Sequence, residues 1–168
     1  LVGSGDVYKR QGTRKPMPDD LREQVPLIKE VLTAMNITII EKGGYEADDI
    51  IGTLSRIADK DGYKVVIVSG DRDLLQLATD NILVRIPKTK AGGTTVENYY
   101  AADVQELYGV TPVQFIDMKG LMGDTSDNIP GVPGIGEKTA GKIIQEWKSI
   151  DNALEHIDEI KPPKAQKN

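Results

Sequence analysis

Three short acidic clusters stand out in this sequence: Glu46, Asp48 and Asp49; Asp71 and Asp73; Asp124 and Asp127. Taken singly, each has a bland explanation. Acids favour the first turn of a helix, and Asp-x-Asp is common turn and cap chemistry. Taken together at the mouths of adjacent elements they repel one another unless something positive sits between them. A pair of divalent cations is the economical answer. Mg²⁺, or Mn²⁺ in its place, takes oxygen ligands, and two ions about 4 Å apart can activate a water and stabilise a leaving oxygen in phosphodiester cleavage. The run Asp-x-Asp-x-Asp-Gly is absent at Asp71 and Asp124, which disfavours an EF-hand. The chain has no cysteine and a single histidine, His156. Thiolate nucleophiles, cysteine metal sites and disulfides are therefore excluded, and Ser-His-Asp chemistry is disfavoured.

A second constellation is the glycine-rich run Gly131-Val132-Pro133-Gly134-Ile135-Gly136, followed by Glu137-Lys138-Thr139. It falls one residue short of a nucleotide-binding P-loop, because Glu137 interrupts it and no strand precedes it. A dinucleotide fingerprint also fails, since Thr139 holds the third glycine position. What remains is a hairpin between two helices whose glycines admit a phosphate close to the backbone, with Lys138 and Lys142 adding charge. Such an element holds a nucleic-acid backbone without reading bases. The competing reading is a plain helix–helix turn. Arg14 and Lys15, with Lys9 and Arg10, make a basic patch that composition alone reads as a solvated terminus. Arg72, between two acids, reads as an ion-pair partner.

The elements that must position these groups follow from periodicity. Helices are predicted from Pro18 to about Asn36, with Leu21, Val25, Ile28, Leu32 and Met35 on one face, and from Glu46 to about Lys60. Strands are predicted at Ile37–Ile40, at Tyr63–Val68, which reads as the central one, and at Ile82–Ile86, with a short helix through Leu77. This alternation predicts an α/β fold with a mostly parallel sheet flanked by helices. Lys88–Thr95 reads as an excursion between two lobes, with no strand beyond it longer than Thr95-Val96. Helices near 101–108, 112–122, 137–147 and 150–157 complete a helical second lobe. Residues 1–12 lack periodicity and read as unrelated to the fold, which leaves 13–94 as an incomplete α/β core and 95–168 as the helical lobe.

At 168 residues the chain is long enough to bury a core, and 39% hydrophobic and 28% charged residues with a net charge of −5 fit a globular protein. No apolar run approaches the roughly 20 residues that cross a bilayer, and no secretory signal opens the chain. A cytoplasmic protein without membrane partners is expected.

The segments Gly44-Tyr45-Glu46-Ala47-Asp48-Asp49-Ile50-Ile51-Gly52, Ser69-Gly70-Asp71-Arg72-Asp73-Leu74-Leu75-Gln76-Leu77 and Gly120 through Ala140, which spans Gly123-Asp124-Thr125-Ser126-Asp127-Asn128 and the glycine hairpin, resemble in order the 5′-3′ exonuclease domains of bacterial DNA polymerase I enzymes. The resemblance covers about residues 12–165. It implies a structure-specific 5′ nuclease of the flap endonuclease superfamily, with a PIN-like core and a helix-3-turn-helix lobe. Such domains cleave DNA at a 5′ flap or single/double-strand junction during replication and repair. Carried over by motif, Glu46, Asp48, Asp49, Asp71, Asp73, Asp124 and Asp127 are the metal-binding acids, with Asp49, Asp71 and Asp73 central to catalysis. Gly131, Gly134, Gly136, Lys138 and Thr139, together with Arg14, Lys15 and Arg72, are the DNA-binding residues. The family's hairpin also holds a monovalent cation such as K⁺ through loop carbonyls. Two family strands bearing acidic ligands have no counterpart here, so a truncated, weakened domain is expected, acting as a monomer. The alternative class is a non-catalytic module that holds duplex DNA through the hairpin; a P-loop nucleotide binder is a remote third.

Overall fold

The computed structural model describes residues 16–161. Helix α1 spans Asp19–Ala34 and α2 spans Ala47–Lys60. Strand β1, Val65–Val68, leads into a 3₁₀ helix at Arg72–Leu77. Strands β2, Ile82–Lys90, and β3, Gly93–Tyr99, follow. The rest is helical, with α3 at Ala101–Tyr108, α4 at Pro112–Met122, α5 at Glu137–Trp147 and α6 at Ile150–Glu155, then a 3₁₀ turn at Ile157–Glu159. Between α4 and α5 lies a two-rung ladder of β4, Gly123–Asp124, and β5, Ile129–Pro130.

By contacts the chain divides into two units: residues up to Ile50 with Ser126–Asn128, and Ile51–Thr125 with Ile129 onward. In the first, α1 starts with two acids, Asp19 and Asp20, that suit the positive end of the helix dipole. The predicted apolar stripe is present, but none of it is buried: Leu21, Ile28 and Met35 are all exposed. The segment Ile37–Ile40, predicted as a strand, is irregular, with Ile37, Ile39 and Ile40 exposed. A β-branched run becomes a strand only where a ladder partner is supplied, and no described strand pairs with it.

In the second unit, β1 pairs in parallel with β2, from Val65 opposite Ile82 to Val68 opposite Arg85, and β2 pairs antiparallel with β3, from Val84 opposite Tyr99 to Lys90 opposite Gly93. The sheet is therefore small and mixed rather than mostly parallel, and its middle strand is β2, not β1. Val65–Val68 is uniformly apolar, as a strand buried on both faces would be. Within β1 only Ile67 is buried, while Val66 and Val68 are exposed. The expected excursion at Lys88–Thr95 is instead the tip of the β2–β3 hairpin, and β3 runs seven residues rather than two. Cross-strand Thr89–Thr94 and Lys88–Glu97 contacts hold a segment whose composition reads as loop.

One core fills this unit. Leu74, Leu75 and Leu77 from the 3₁₀ helix, Ile82, Val84 and Ile86 from β2, Val104 from α3, Phe115 and Met118 from α4, and Ile143 and Ile144 from α5 are all buried in it. Thr111 caps α4 through a reciprocal box with Gln114, as Pro112 at the first helical position leads one to expect. Trp147 stacks on His156, with ring centroids 4.7 Å apart, closing α5 against the C-terminal turn. No helix among the described residues is long and apolar enough to cross a membrane.

Candidate metal centre

Asp71 and Asp73 lie where β1 ends and the 3₁₀ helix begins, the end of a parallel strand at which open α/β sheets place their sites. The turn is built by its own polar groups. The Ser69 hydroxyl accepts from the Asp71 N–H at 3.0 Å, and Asp71 Oδ1 accepts from the Asp73 N–H at 2.9 Å, so Asp71 is the N-cap. Below it Leu74, Leu75 and Leu77 enter the core, which fixes the direction in which both carboxylates leave the backbone.

Asp124 arrives from the end of α4, the helix that packs against this 3₁₀ helix. Helix α4 ends at Met122, and Gly123 turns the chain at φ 72° into β4. A Cβ on Gly123 would overlap the backbone of Gly131, and one on Gly131 would overlap Met122 and Gly123, so two glycines let the strands of this hairpin approach. Asp124 follows at once, half-buried. Asp73 and Asp124 present carboxylate oxygens within 4.8 Å of each other. Between them lies the ammonium of Lys119, from the last turn of α4: Nζ is 2.9 Å from Asp73 Oδ1 and 2.6 Å from Asp124 Oδ2. Burial pushes the Asp73 carboxyl above its ordinary value; Lys119 pulls it back, and the charges of Asp71 and Asp124 push it up again. Burial alone would lower the Lys119 ammonium, but its bonds to Asp124 and Asp73 outweigh that and hold it above its ordinary value.

A second network anchors the same turn from behind. The Arg72 guanidinium donates to the Tyr108 hydroxyl at 2.9 Å, to Glu97 at 2.7 Å and to the Tyr99 hydroxyl at 3.4 Å, and lies over the Tyr99 ring. Glu97 also takes Lys88 at 2.6 Å and the Tyr99 hydroxyl at 2.6 Å. Lys88 first, then Tyr99, hold this carboxyl down at about 2. Arg72 thus has the ion-pair partner that its position between two acids led one to expect, although that partner comes from β3.

In the other unit, the Glu46 N–H donates to Asp49 Oδ2 at 3.0 Å, so Asp49 closes the first turn of α2, and Asp48 sits in that turn. Asp127 lies three residues after Asp124, in the turn joining β4 and β5. In the hairpin that follows, Ile135 is buried, while Gly134 (φ 79°) and Gly136 stay exposed on either side of it. Gly136 precedes α5, whose first turn carries exposed Lys138 and half-buried Thr139. Arg14 and Lys15 lie outside the described residues. Sequence reasoning missed Lys119, Glu97, Tyr99 and Tyr108. For Lys119 a signal existed: a lysine in the last turn of a helix that ends at a glycine, five residues before an aspartate, suits the negative end of the dipole and faces that acid.

An all-oxygen donor set of two half-buried carboxylates, already drawn to one cation, suits a hard divalent ion such as Mg²⁺ or Mn²⁺ rather than a soft metal. A fold with acids at a strand end and a glycine hairpin between helices defines a class. The chain belongs to the 5′-3′ exonuclease family: residues 6–109 match its N-terminal resolvase-like domain and residues 110–168 its C-terminal SAM fold. It is similar to the DNA polymerase I of Bacillus subtilis (strain 168), 54% identical over 156 residues that cover 93% of this chain and 18% of that protein. The chain thus spans less than a fifth of that relative. Among solved structures, the T5 D15 protein co-crystallized with metal ions superposes with a TM-score of 0.73 at 26% identity, over 99% of this chain and 66% of that one. The bacteriophage T5 D15 flap endonuclease in a pseudo-enzyme-product complex with DNA and metal ions shares the fold, with a TM-score of 0.71 at 23% identity over 98% of this chain and 64% of that one.

Proposed function

We propose that this chain hydrolyses phosphodiester bonds in DNA with a 5′ flap or a single/double-strand junction, as the 5′-3′ exonuclease region of a larger polymerase-type protein. The observation that carries this reading is the pair Asp73 and Asp124, brought from different elements to within 4.8 Å in a chain of the 5′-3′ exonuclease family. That the T5 D15 protein was crystallised with metal ions supports the same reading. Asp71, Asp73, Asp124 and Asp127 hold Mg²⁺ or Mn²⁺, with Glu46, Asp48 and Asp49 as the further acids, and Asp49, Asp71 and Asp73 stand nearest the chemistry. Bound divalent ions supply an activated water and offset charge on the leaving oxygen. Asp71 is kept aimed by capping its own turn, and Asp73 by the 3₁₀ helix whose leucines enter the core. No side chain here needs to form a covalent intermediate.

The acids up to residue 94 serve the reaction together with Asp124 and Asp127, and the helical part that follows β3 holds the duplex. Gly131, Gly134 and Gly136 admit a phosphate to the backbone, with K⁺ at the loop carbonyls, while Lys138 and Thr139 contact the strand. Arg14 and Lys15 contact the DNA as well. The chain works as a monomer on its substrate. The experiment is cleavage of a 5′-flap oligonucleotide duplex in a Mg²⁺ titration. Asp73→Asn should abolish Mg²⁺-dependent cleavage yet leave duplex binding in EDTA intact; undiminished cleavage would reject the site.

A further inference from the structure

Lys119 belongs to no motif and carries the shortest contacts of the candidate centre. We propose that Lys119 is a built-in competitor for the divalent cation, whose ammonium must leave Asp73 and Asp124 before those carboxylates take up metal, so that this one residue sets the metal affinity of the centre. The inference rests on the reading of Asp73 and Asp124 as metal ligands, and adds a residue that works against them.

The competition follows from where the ammonium sits. Nζ stands 2.9 Å from one carboxylate and 2.6 Å from the other. A divalent ion held by the same two carboxylates would draw on the oxygens that the ammonium now occupies. With the ammonium in place, an incoming ion would meet its like charge at close range. The backbone of Lys119 cannot yield, because its neighbours Phe115 and Met118 fix α4 in the core. The side chain can. It is 22% exposed, on a flexible four-carbon stem in the last turn of the helix. Displacing it breaks two ion pairs, and by linkage whatever it gains from the acids is lost from the metal's apparent affinity.

Two observables should therefore move in opposite directions when the charge is removed. Without Lys119 the two carboxylates repel across a partly buried gap, so the protein in EDTA should melt earlier. Metal uptake should become stronger, since nothing has to be displaced. A merely structural lysine would lower stability with and without metal and would not tighten the metal. Lys119→Gln keeps hydrogen-bond donors to both oxygens without the charge, and Lys119→Arg keeps the charge.

The test is a Mn²⁺ titration followed by electron paramagnetic resonance of the free ion, with melting curves in EDTA and at saturating Mn²⁺. We expect Lys119→Gln to bind Mn²⁺ roughly tenfold more tightly, within the usual range of coupling between two sites, and to gain more melting temperature from Mn²⁺ than the parent does. Lys119→Arg should bind Mn²⁺ as weakly as the parent. Equal or weaker uptake by Lys119→Gln, with Asp73→Asn still abolishing uptake, overturns the competitor role and leaves the metal site standing. Parent-like uptake by Asp73→Asn overturns the metal site and the competitor together.

Discussion

Two cations flank the turn that carries Asp71 and Asp73, and they are held in opposite ways. Arg72 lies behind it, between two tyrosine hydroxyls and Glu97, a carboxylate that Lys88 also claims. Those three charged groups, two cations and one anion, sum to +1. Lys119 lies in front, between Asp73 and Asp124, and that trio of one cation and two anions sums to −1. A surplus positive charge fastened by a planar fork to neutral hydroxyls has no use for another cation, whereas the surplus negative charge in front attracts one. One cation is thus part of the scaffold, and the other stands at the site proposed to exchange it for metal.

The largest effect separating the two sides should come from Asp124→Asn. It removes a charge from the front trio and little volume, and flap cleavage should fall by about a hundredfold or more, the scale of misplacing a catalytic group. Melting in EDTA should barely change, and a cleavage rate within threefold of the parent would place the chemistry elsewhere. Next comes Arg72→Ala behind the turn. It leaves Glu97 to Lys88 and the Tyr99 hydroxyl and frees the 3₁₀ helix, so urea denaturation should show a loss of about 1–2 kcal/mol, near the low end for charged hydrogen bonds because the pair is partly exposed. If stability holds while Mn²⁺ uptake changes, the division into scaffold and exchange sides is wrong.

Tyr108→Phe removes a single hydroxyl from the rear network and should cost about 0.5–1.5 kcal/mol, with Mn²⁺ uptake unaltered, as measured by the same two methods. The smallest effect is a pH dependence. Glu97 titrates at about 2 in the folded protein against an ordinary 4.5, so its contribution is present above 4.5 and is lost as the pH falls toward about 2. The stability gap between the parent and Glu97→Gln should shrink over that window. A gap that stayed constant from neutral pH down to 2.5 would mean that the Lys88 and Tyr99 contacts do not act through the charge of Glu97.

Much of this was legible in the residues. Acidic helix starts, the Asp71 cap, the Thr111-Pro112 entry to α4 and the Gly-x-Gly hairpin are local events, settled by a few neighbouring groups, and each falls where its sequence signal lies. The same holds for the ordered acidic motifs, because spacing within a turn survives whatever the rest of the chain does. The strands were less legible for the opposite reason. Ile37–Ile40 has the composition of a strand and no described partner, while Lys88–Thr95 has the composition of a loop and is carried into the ladder by cross-strand pairs. Pairing is a property of two segments, and one segment's sequence cannot state it.

The sequence alone therefore determined which residues carry charge, where helices begin and end, and the order of the motifs that place the chain in its family. The tertiary structure alone decided which charges meet. Arg72 finds Glu97 from β3, twenty-five residues away, and Tyr108 from α3, thirty-six away, and Lys119 reaches back from α4 to Asp73. Those meetings depend on Leu75, Val84, Phe115 and Met118 filling one core, which sets the distance between elements that no local rule links.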